Sequence, residues 1–205
     1  LGAQFWDNAV ISMPLACFRS FCTFGGGSVY IGPQMPRRSL VPWRTAVTVR
    51  VVDSVFRGNA VRFPYRDAAT RIFGGALALD TSFLASAALA ISGSDFIGNQ
   101  LQTTGAMPCG LFTRRFSVPL THGAAIALDE IAANGSSSVV TAANAAPRTT
   151  VDVTISTSNF ESNSVDLSAW TLAARDPCEM PLEAAQGGGA LFLGLGDAAA
   201  EARLE

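Results

Sequence analysis

The stretch Ser94-Asp95-Phe96-Ile97-Gly98-Asn99 decides the fold, because its pattern Ser-x-Phe-x-x-Asn recurs along the chain. Two further full copies run from Ser54 to Asn59 and from Ser158 to Asn163, and a fourth, from Phe5 to Asn8, lacks the leading Ser. A motif repeated at intervals of tens of residues is typical of architectures in which each unit contacts its neighbours. The chain is therefore predicted to be a repeat protein.

A second, glycine-rich motif alternates strictly with the first. It reads Gly-Gly-Ala before a short apolar strand, and its turn glycines are Gly26, Gly74, Gly75, Gly123, Gly188 and Gly189. Paired glycines predict positive φ or a close backbone approach where the chain turns. The third copy departs from the pattern, and we expect His122 to replace the first glycine of the pair there.

A third element precedes each full Phe motif. Residues 47–51, 87–91 and 151–155 alternate apolar side chains with others, which predicts β-strands. The last apolar residue stands five positions before the Phe, so a straight strand would place the two on opposite faces. A bend between them is predicted, because it lets both point inward.

These short strands cannot bury a core separately, so we expect successive repeats to stack in parallel register as an all-β solenoid. Residues 1–196 would form the solenoid with extruded loops, and residues 197–205, rich in Ala and Glu, a short tail or capping helix. Two sets of side chains would then stack from rung to rung. The predicted interior stack is Phe5, Phe56, Phe96 and Phe160, and the predicted corner ladder is Asn8, Asn59, Asn99 and Asn163.

The alternating Phe-x-x-Asn and Gly-Gly-Ala motifs resemble the repeats of chlamydial polymorphic outer-membrane proteins and of related pectin-lyase-like proteins. The resemblance implies a right-handed single-stranded parallel β-helix that is secreted or displayed at the cell surface. It also implies a non-catalytic structural or adhesion role, with loops and solenoid ends contacting proteins or glycans. Tryptophans in or near loops (Trp6, Trp43 and Trp170) suggest sugar stacking, although ordinary packing is the simpler interpretation.

The alternative is a carbohydrate-active enzyme, a polysaccharide lyase or hydrolase, because pectin-lyase-like folds include such enzymes. These enzymes need clustered carboxylates beside a basic residue. The best candidates are Asp53, Arg57 and Asp95, but the two acids stand at different distances from their Phe and so are not expected to align vertically. The sequence favours a non-catalytic module.

Other functional classes find little support in the composition. A formal net charge of −2 argues against nucleic-acid binding, and no apolar stretch is long enough to predict a membrane-spanning helix. His122 is the single histidine, which argues against a multi-histidine metal site, and no nucleotide-binding motif is present. We expect no cofactor and no metal.

The four cysteines permit disulfides if the protein is secreted. Cys17 with Cys22, and Cys109 with Cys178, are the candidate pairs, and buried free thiols are the alternative. Asn134 begins an Asn-x-Ser glycosylation pattern that would matter in a eukaryotic source.

Charge is unevenly distributed along the chain. Residues 1–115 carry eleven arginines and five acids, whereas residues 116–205 carry three arginines and eleven acids. In a solenoid this gives the two ends opposite charge. The expected partners are other protein subunits or the remainder of a longer chain, in end-to-end contact, together with glycans.

Overall fold

A computed structural model of the chain describes residues 2–11, 22–32, 45–63, 70–81, 84–103, 120–129, 150–166, 185–187, 189–194 and 199–204. Within these ranges the regular structure is twenty β-strands and no helix. The strands fall into four consecutive groups of five, which we call coils. Each strand of the first three groups pairs in parallel with the strand five places later in the chain.

The first coil comprises β1 (Gln4–Trp6), β2 (Ala9–Ile11), β3 (Cys22–Gly25), β4 (Val29–Ile31) and β5 (Thr45–Val52). The second comprises β6 (Val55–Arg57), β7 (Ala60–Phe63), β8 (Thr70–Phe73), β9 (Leu77–Asp80) and β10 (Leu84–Ser92). The third comprises β11 (Asp95–Ile97), β12 (Gln100–Thr103), β13 (Leu120–His122), β14 (Ile126–Asp129) and β15 (Thr150–Ser156). The fourth comprises β16 (Asn159–Glu161), β17 (Ser164–Asp166), β18 (Ala185–Gly187), β19 (Leu191–Gly194) and β20 (Ala199–Leu204).

Stacking the coils produces five parallel sheets of four strands each. We call them sheets A to E in the order in which the chain passes through them, so sheet A holds β1, β6, β11 and β16, and sheet E holds β5, β10, β15 and β20. Parallel pairing of every strand with its counterpart in the next coil is the arrangement of a β-solenoid. The predicted all-β, parallel, stacked architecture is confirmed.

The register places like residues over like. In sheet A, Phe56 is paired with Phe5 on one side and with Phe96 on the other. In sheet D, Leu77 is paired with Val29 and Ile126. The repeat motifs are thus columns of side chains that run through the stack.

The bend predicted before the Phe motif is confirmed at the corner from sheet E to sheet A. Ile91 and Phe96 are both buried, at 1% and 0% exposure, although five residues separate them. The chain turns at Gly93, where φ is 57°, and the equivalent Asp53 and Thr157 also have positive φ. Both apolar side chains therefore join one interior.

The core is a continuous apolar column enclosed by sheets A, D and E. Its buried centre is formed by the second and third coils together with Val51 of the first coil, and the first and fourth coils also contribute partly buried residues such as Phe5 and Phe160. A smaller cluster under sheet B is built on Val61 and Leu101. Along β10 and β15, alternate residues supply the interior column. All four residues of β9 are buried, and a third small cluster comprises Phe73, Ala78 and Ala127.

Two expectations are wrong. Residues 199–204 form β20, which pairs with β15 in sheet E, rather than a capping helix. His122 does not replace a turn glycine, because it is the last residue of β13 and pairs with Phe73 and Gly187. Gly123 follows with φ of 68°, close to the 57° of Gly74, so it is the first glycine of the pair and Ala124 replaces the second.

Connection length varies at two of the five corners. Two or three residues make each described turn from sheet E to A, A to B and C to D. From sheet B to C, the connections comprise residues 12–21, 64–69, 104–119 and 167–184. From sheet D to E, they comprise residues 32–44, 81–83, 130–149 and 195–198. The chain therefore accommodates insertions at two corners of an otherwise constant coil.

Candidate functional site

The four phenylalanines of the repeat form a ring stack through the interior. Successive ring centroids lie 4.7, 4.7 and 4.9 Å apart, with interplanar angles of 9°, 2° and 4°. These spacings match the separation of about 4.8 Å between paired strands, so the backbone imposes the stack. Each ring pair contributes about 0.5–1.5 kcal/mol beyond the burial of its surface.

The asparagines form a hydrogen-bonded ladder at the corner from sheet A to B. Asn8 donates to Oδ1 of Asn59 from its backbone nitrogen at 3.1 Å and from Nδ2 at 3.0 Å. Asn99 bonds to Asn163 in the same way, at 3.0 and 2.9 Å. One side chain therefore satisfies both a backbone and a side-chain donor from the preceding coil.

Asn59 and Asn99 are fully buried, so their bonding capacity must be met inside the protein. Each Oδ1 accepts two hydrogen bonds from the preceding coil, and each Nδ2 donates one to the following Asn. The second Nδ2 hydrogen goes to a Phe carbonyl of the preceding coil, that of Phe5 or Phe56. Every donor and acceptor of these two amides is thus used.

A serine ladder, whose role the sequence did not reveal, runs along the corner from sheet E to A. The backbone N–H of Ser54 donates to Oγ of Ser94 at 3.1 Å, and the N–H of Ser94 donates to Oγ of Ser158 at 3.3 Å. Each of these hydroxyls in turn donates to a carbonyl two residues earlier. In the first coil, Ala3 donates to Ser54 but has no hydroxyl to offer. The Ser that begins each full copy of the repeat motif was the sequence signal from which this ladder could have been predicted.

The glycine corner from sheet C to D requires glycine for two reasons. At Gly74 φ is 57°, and a Cβ there would lie 2.1 Å from the carbonyl oxygen of Leu77. At Gly75 the conformation is ordinary, but a Cβ would lie 2.0 Å from the carbonyl oxygen of Ala124 in the next coil. Gly26 and Gly123 repeat the positive φ of Gly74, whereas Gly188 lies outside the described residues and Gly189 has room for a Cβ.

The candidate catalytic residues lie along the outer side of sheet A and its preceding corner. Asp95 is paired with Val55, and Arg57 with Ile97, so the carboxylate and the guanidinium stand on neighbouring strands but in different columns. Asp53 occupies the corner, where its Oδ1 lies 2.5 Å from the position of a Cβ on Gly93. No hydrogen bond or ion pair joins these three side chains to one another. The three side chains are therefore spread along the outer side of sheet A and its preceding corner and do not form a carboxylate cluster.

A phenol and a carboxylate meet on the outer side of sheet D. The Tyr30 hydroxyl donates to Oδ2 of Asp80 at 3.0 Å, and Asp80 is 1% exposed. Partial burial of the Tyr30 phenol raises its pKa well above its ordinary value, and the Asp80 carboxylate adds to the shift. The pair links the first coil to the second.

Among the residues whose side-chain exposure is described, the exposed large apolar side chains all belong to the first coil. They lie on the outer walls of four different sheets, and we call them the apolar collar: Trp6, Ile11, Tyr30 and Val52. In the second coil, the same columns hold Arg57, Arg62, Ala78 and Ser92. The collar therefore distinguishes one end of the stack chemically.

The described charges also differ between the two ends. The first two coils, with their connecting turns, hold four arginines and three acids (Arg50, Arg57, Arg62 and Arg71; Asp7, Asp53 and Asp80). The last two hold one arginine and six acids (Arg203; Asp95, Asp129, Asp152, Glu161, Asp166 and Glu201). The charge asymmetry of the sequence is therefore present among the described residues as well.

Several candidate residues fall where the structure gives no account of them. Cys17, Cys109, Cys178, Asn134, Trp43 and Trp170 lie outside the described residues, and Cys22 is the first residue of β3. The disulfides and the glycosylation therefore stay predictions. In the part of the chain that is described, no three His, Cys, Asp or Glu side chains are grouped to hold a metal ion.

Comparisons of the chain with protein-family models, curated proteins and solved structures find no match. Within the ranges described above, no helix has the length and apolar character needed to cross a membrane.

Proposed function

We propose that the chain is a non-catalytic structural or adhesion module that is secreted or displayed at the cell surface. It binds proteins or glycans through its loops and end coils. We also propose that its coil is a right-handed single-stranded parallel β-helix of the pectin-lyase-like kind. Right-handed coiling is supported by the strong preference of parallel strands for right-handed crossovers.

The contrast between constant and variable corners carries this proposal. At the corner from sheet A to B, the buried amides of Asn59 and Asn99 repeat one hydrogen-bond pattern from coil to coil. At the corner from sheet D to E, by contrast, the connection grows from residues 81–83 to residues 130–149 in the next coil. A rigid rod that holds long variable connections at fixed corners suits the presentation of binding surfaces.

The outer wall of sheet A supports a non-catalytic role over the enzyme alternative. Acid–base cleavage of a sugar chain needs two carboxyl groups facing one another across the scissile bond. Asp53 instead turns along its own corner toward Gly93, and Asp95 stands in another column. Asp53 is positioned by the turn from sheet E to A, and Asp95 is positioned by its strand in sheet A.

A loop-shortening experiment tests the proposal. Residues 130–149 are replaced by Thr81-Ser82-Phe83, the sequence that closes the same corner one coil earlier. A second variant replaces residues 104–119 by residues 64–69, which close the other variable corner in the second coil. Both variants are expected to keep the unfolding midpoint of the parent chain, because neither change touches a ladder.

Binding is measured to a panel of immobilised glycans and to immobilised extracellular-matrix proteins. We expect the parent chain to bind at least one of these probes and at least one shortened variant to lose that binding. Retention by both variants, or no binding by the parent chain, would contradict the proposal. Depolymerisation of polysaccharides that is lost in a variant combining D53N, R57Q and D95N would establish the enzyme instead.

A further inference from the structure

One side of the solenoid carries the same order of charge in two neighbouring columns of side chains. We propose that two copies of the chain associate side by side along this side, with their stacks antiparallel and related by a two-fold axis at the level of the third coil. The contact is made by outward side chains and uses no strand edge, so a further coil above or below would leave it unchanged. The inference goes beyond the proposed function, because it names a partner for an outer wall.

The two columns flank the corner from sheet A to B. In sheet A, the last strand residues of the second, third and fourth coils are Arg57, Ile97 and Glu161. In sheet B, the third strand residues of the same coils are Arg62, Gln102 and Asp166. Both columns therefore run from basic through neutral to acidic at the same levels of the stack. We call these six residues the charged wall.

The opposite charges of the charged wall are too far apart to pair within one copy. Arg57, Arg62 and Glu161 are exposed, and none of the three forms an ion pair with another described residue. Arg57 and Glu161 stand two coils apart, about 9.6 Å along the stack, whereas an ion pair needs about 4 Å between nitrogen and oxygen. In sheet B, Gln102 lies between the charges and donates to Oδ2 of Asp166 at 3.4 Å. The arginines and Glu161 are thus available to a partner.

A second copy of the charged wall is complementary to the first when the two stacks run in opposite directions. A two-fold axis at the third coil places the second coil of each copy opposite the fourth coil of the other. Arg57 then faces Glu161 of the second copy, and Arg62 faces Asp166 of the second copy, and symmetry makes each pair occur twice. Copies running in the same direction with their coils level would instead oppose Arg57 to Arg57, which is unfavourable. Asp95 lies at the other edge of sheet A, away from this corner.

The corner between the two columns leaves room for a close approach. In the second, third and fourth coils it is formed by Gly58, Gly98 and Ser162, all with positive φ. Gly98, which would lie on the two-fold axis, has no heavy atom within 4 Å of the position of a Cβ. Asp7 occupies the same corner in the first coil, one level outside the proposed contact. Small residues at the three contact levels therefore let the flanking charges of two copies meet.

Sedimentation velocity and small-angle scattering of the full 205-residue chain test the proposal. We expect an equilibrium between monomer and dimer, in which the dimer has a larger cross-section than the monomer. The dimer should dissociate as salt rises, because exposed charges are screened. A monomer at every protein concentration, or rods that lengthen as concentration rises, would overturn the proposal.

Charge reversal at one pair tests the antiparallel contact. R57E and E161R each place like charges opposite one another at two symmetric positions, so each variant alone should dimerise about tenfold to a hundredfold more weakly than the parent chain. In an equimolar mixture, a dimer with one copy of each variant regains both opposite-charge pairs. The mixture should therefore dimerise with a dissociation constant within about threefold of the parent value. A mixture as weak as the separate variants would overturn the proposal.

Matched controls separate this contact from a general effect of net charge. R50E and D152R make the same reversals at exposed positions on the outer wall of sheet E. Both controls should keep the dissociation constant of the parent chain within about twofold, and all four variants should keep its unfolding midpoint, because the changed side chains are exposed. Weakening by R50E equal to that by R57E would overturn the proposal. The assays on glycans and matrix proteins measure other contacts, so a chain that binds them as a monomer would refute this inference alone.

Discussion

Asn59 donates two hydrogen bonds to a single atom, Oδ1 of Asn99, from its backbone nitrogen at 3.1 Å and from Nδ2 at 2.9 Å. The two residues are forty positions apart in sequence and belong to successive coils. An amide is the group that fits this position, because it must accept from the coil before and donate to the coil after. The stability of the fold should therefore be most sensitive to substitutions in the asparagine ladder that contains Asn59 and Asn99.

Replacing the Asn99 amide by a carboxylate should be severely destabilising. In N99D two donors are lost and a charge is buried with no cation beside it, so we expect a loss of about 3–5 kcal/mol in the free energy of unfolding at pH 7. The matched control is N8D at the exposed end of the ladder, where a loss of about 1 kcal/mol is expected. Urea unfolding compares the two variants, and equal losses would contradict the ladder.

The same variant should show a characteristic pH dependence. Burial raises the pKa of the introduced carboxyl above its unfolded value near 4, so the folded state retains the proton to higher pH. The deficit of N99D is therefore largest at neutral pH and shrinks as pH falls through the raised folded-state pKa toward 4. The difference in unfolding free energy from the parent chain, measured from pH 7 to pH 4, should decrease. A constant difference would be inconsistent with a buried carboxylate.

Two glycines of similar conformation should respond differently to alanine. Gly98 has φ of 63° and open space for a Cβ, so G98A should lose about 1 kcal/mol through backbone strain. Gly74 has φ of 57°, but its Cβ would overlap the Leu77 carbonyl, so G74A should lose about 3 kcal/mol or more. Urea unfolding of both variants measures the difference. A loss in G98A as large as that in G74A would refute the steric explanation.

Substituting Ser162, which adopts the left-handed αL conformation before Asn163, should increase the stability of the fold. Ser162 has φ of 54°, and its side chain makes no hydrogen bond in the described structure. S162G removes the strain and should raise the free energy of unfolding by about 1 kcal/mol. S94A serves as the contrasting variant, because it removes the buried acceptor of the Ser54 N–H and should cost about 1–3 kcal/mol. If S162G were less stable than the parent chain, the positive φ of Ser162 would not be a source of strain.

The Tyr30–Asp80 contact should make stability fall at alkaline pH. Because the folded-state pKa of the Tyr30 phenol lies above its unfolded value near 10, the phenol's contribution is complete below pH 10 and is lost as pH rises above it. The difference in unfolding midpoint between the parent chain and Y30F should therefore shrink as pH rises from about 10 to about 12. Parallel curves over that range would mean that the phenol is not held protonated.

Sequence reasoning succeeded where a column carries one residue type. Phe and Asn recur with fixed spacing within the motif, so the stacking of Phe56 on Phe96 could be predicted without knowing how long the intervening connections were. The bend at Gly93 followed from the odd spacing between Ile91 and Phe96. These features are local, and each coil repeats them.

The strands of sheets B and C were harder to predict, because they are short and share no motif. In sheet C the aligned strands end in Gly25, Phe73, His122 and Gly187, which have no common chemistry. Residues 199–204 illustrate a second cause, since Ala and Glu favour a helix while pairing with β15 imposes a strand. The apolar collar could not be predicted from the sequence, because the exposure of Trp6 and Ile11 depends on their place in the first coil of the stack.

The central claim is that successive coils stack in register, and nuclear Overhauser contacts between assigned aromatic rings test it most directly. The account predicts ring contacts between Phe56 and Phe96 and between Phe96 and Phe160, together with contacts between the side-chain amides of Asn59 and Asn99. Phe56 and Phe160, two coils apart, should show no contact. A direct contact between Phe56 and Phe160, or the absence of contact between Phe56 and Phe96, would contradict the stacked solenoid.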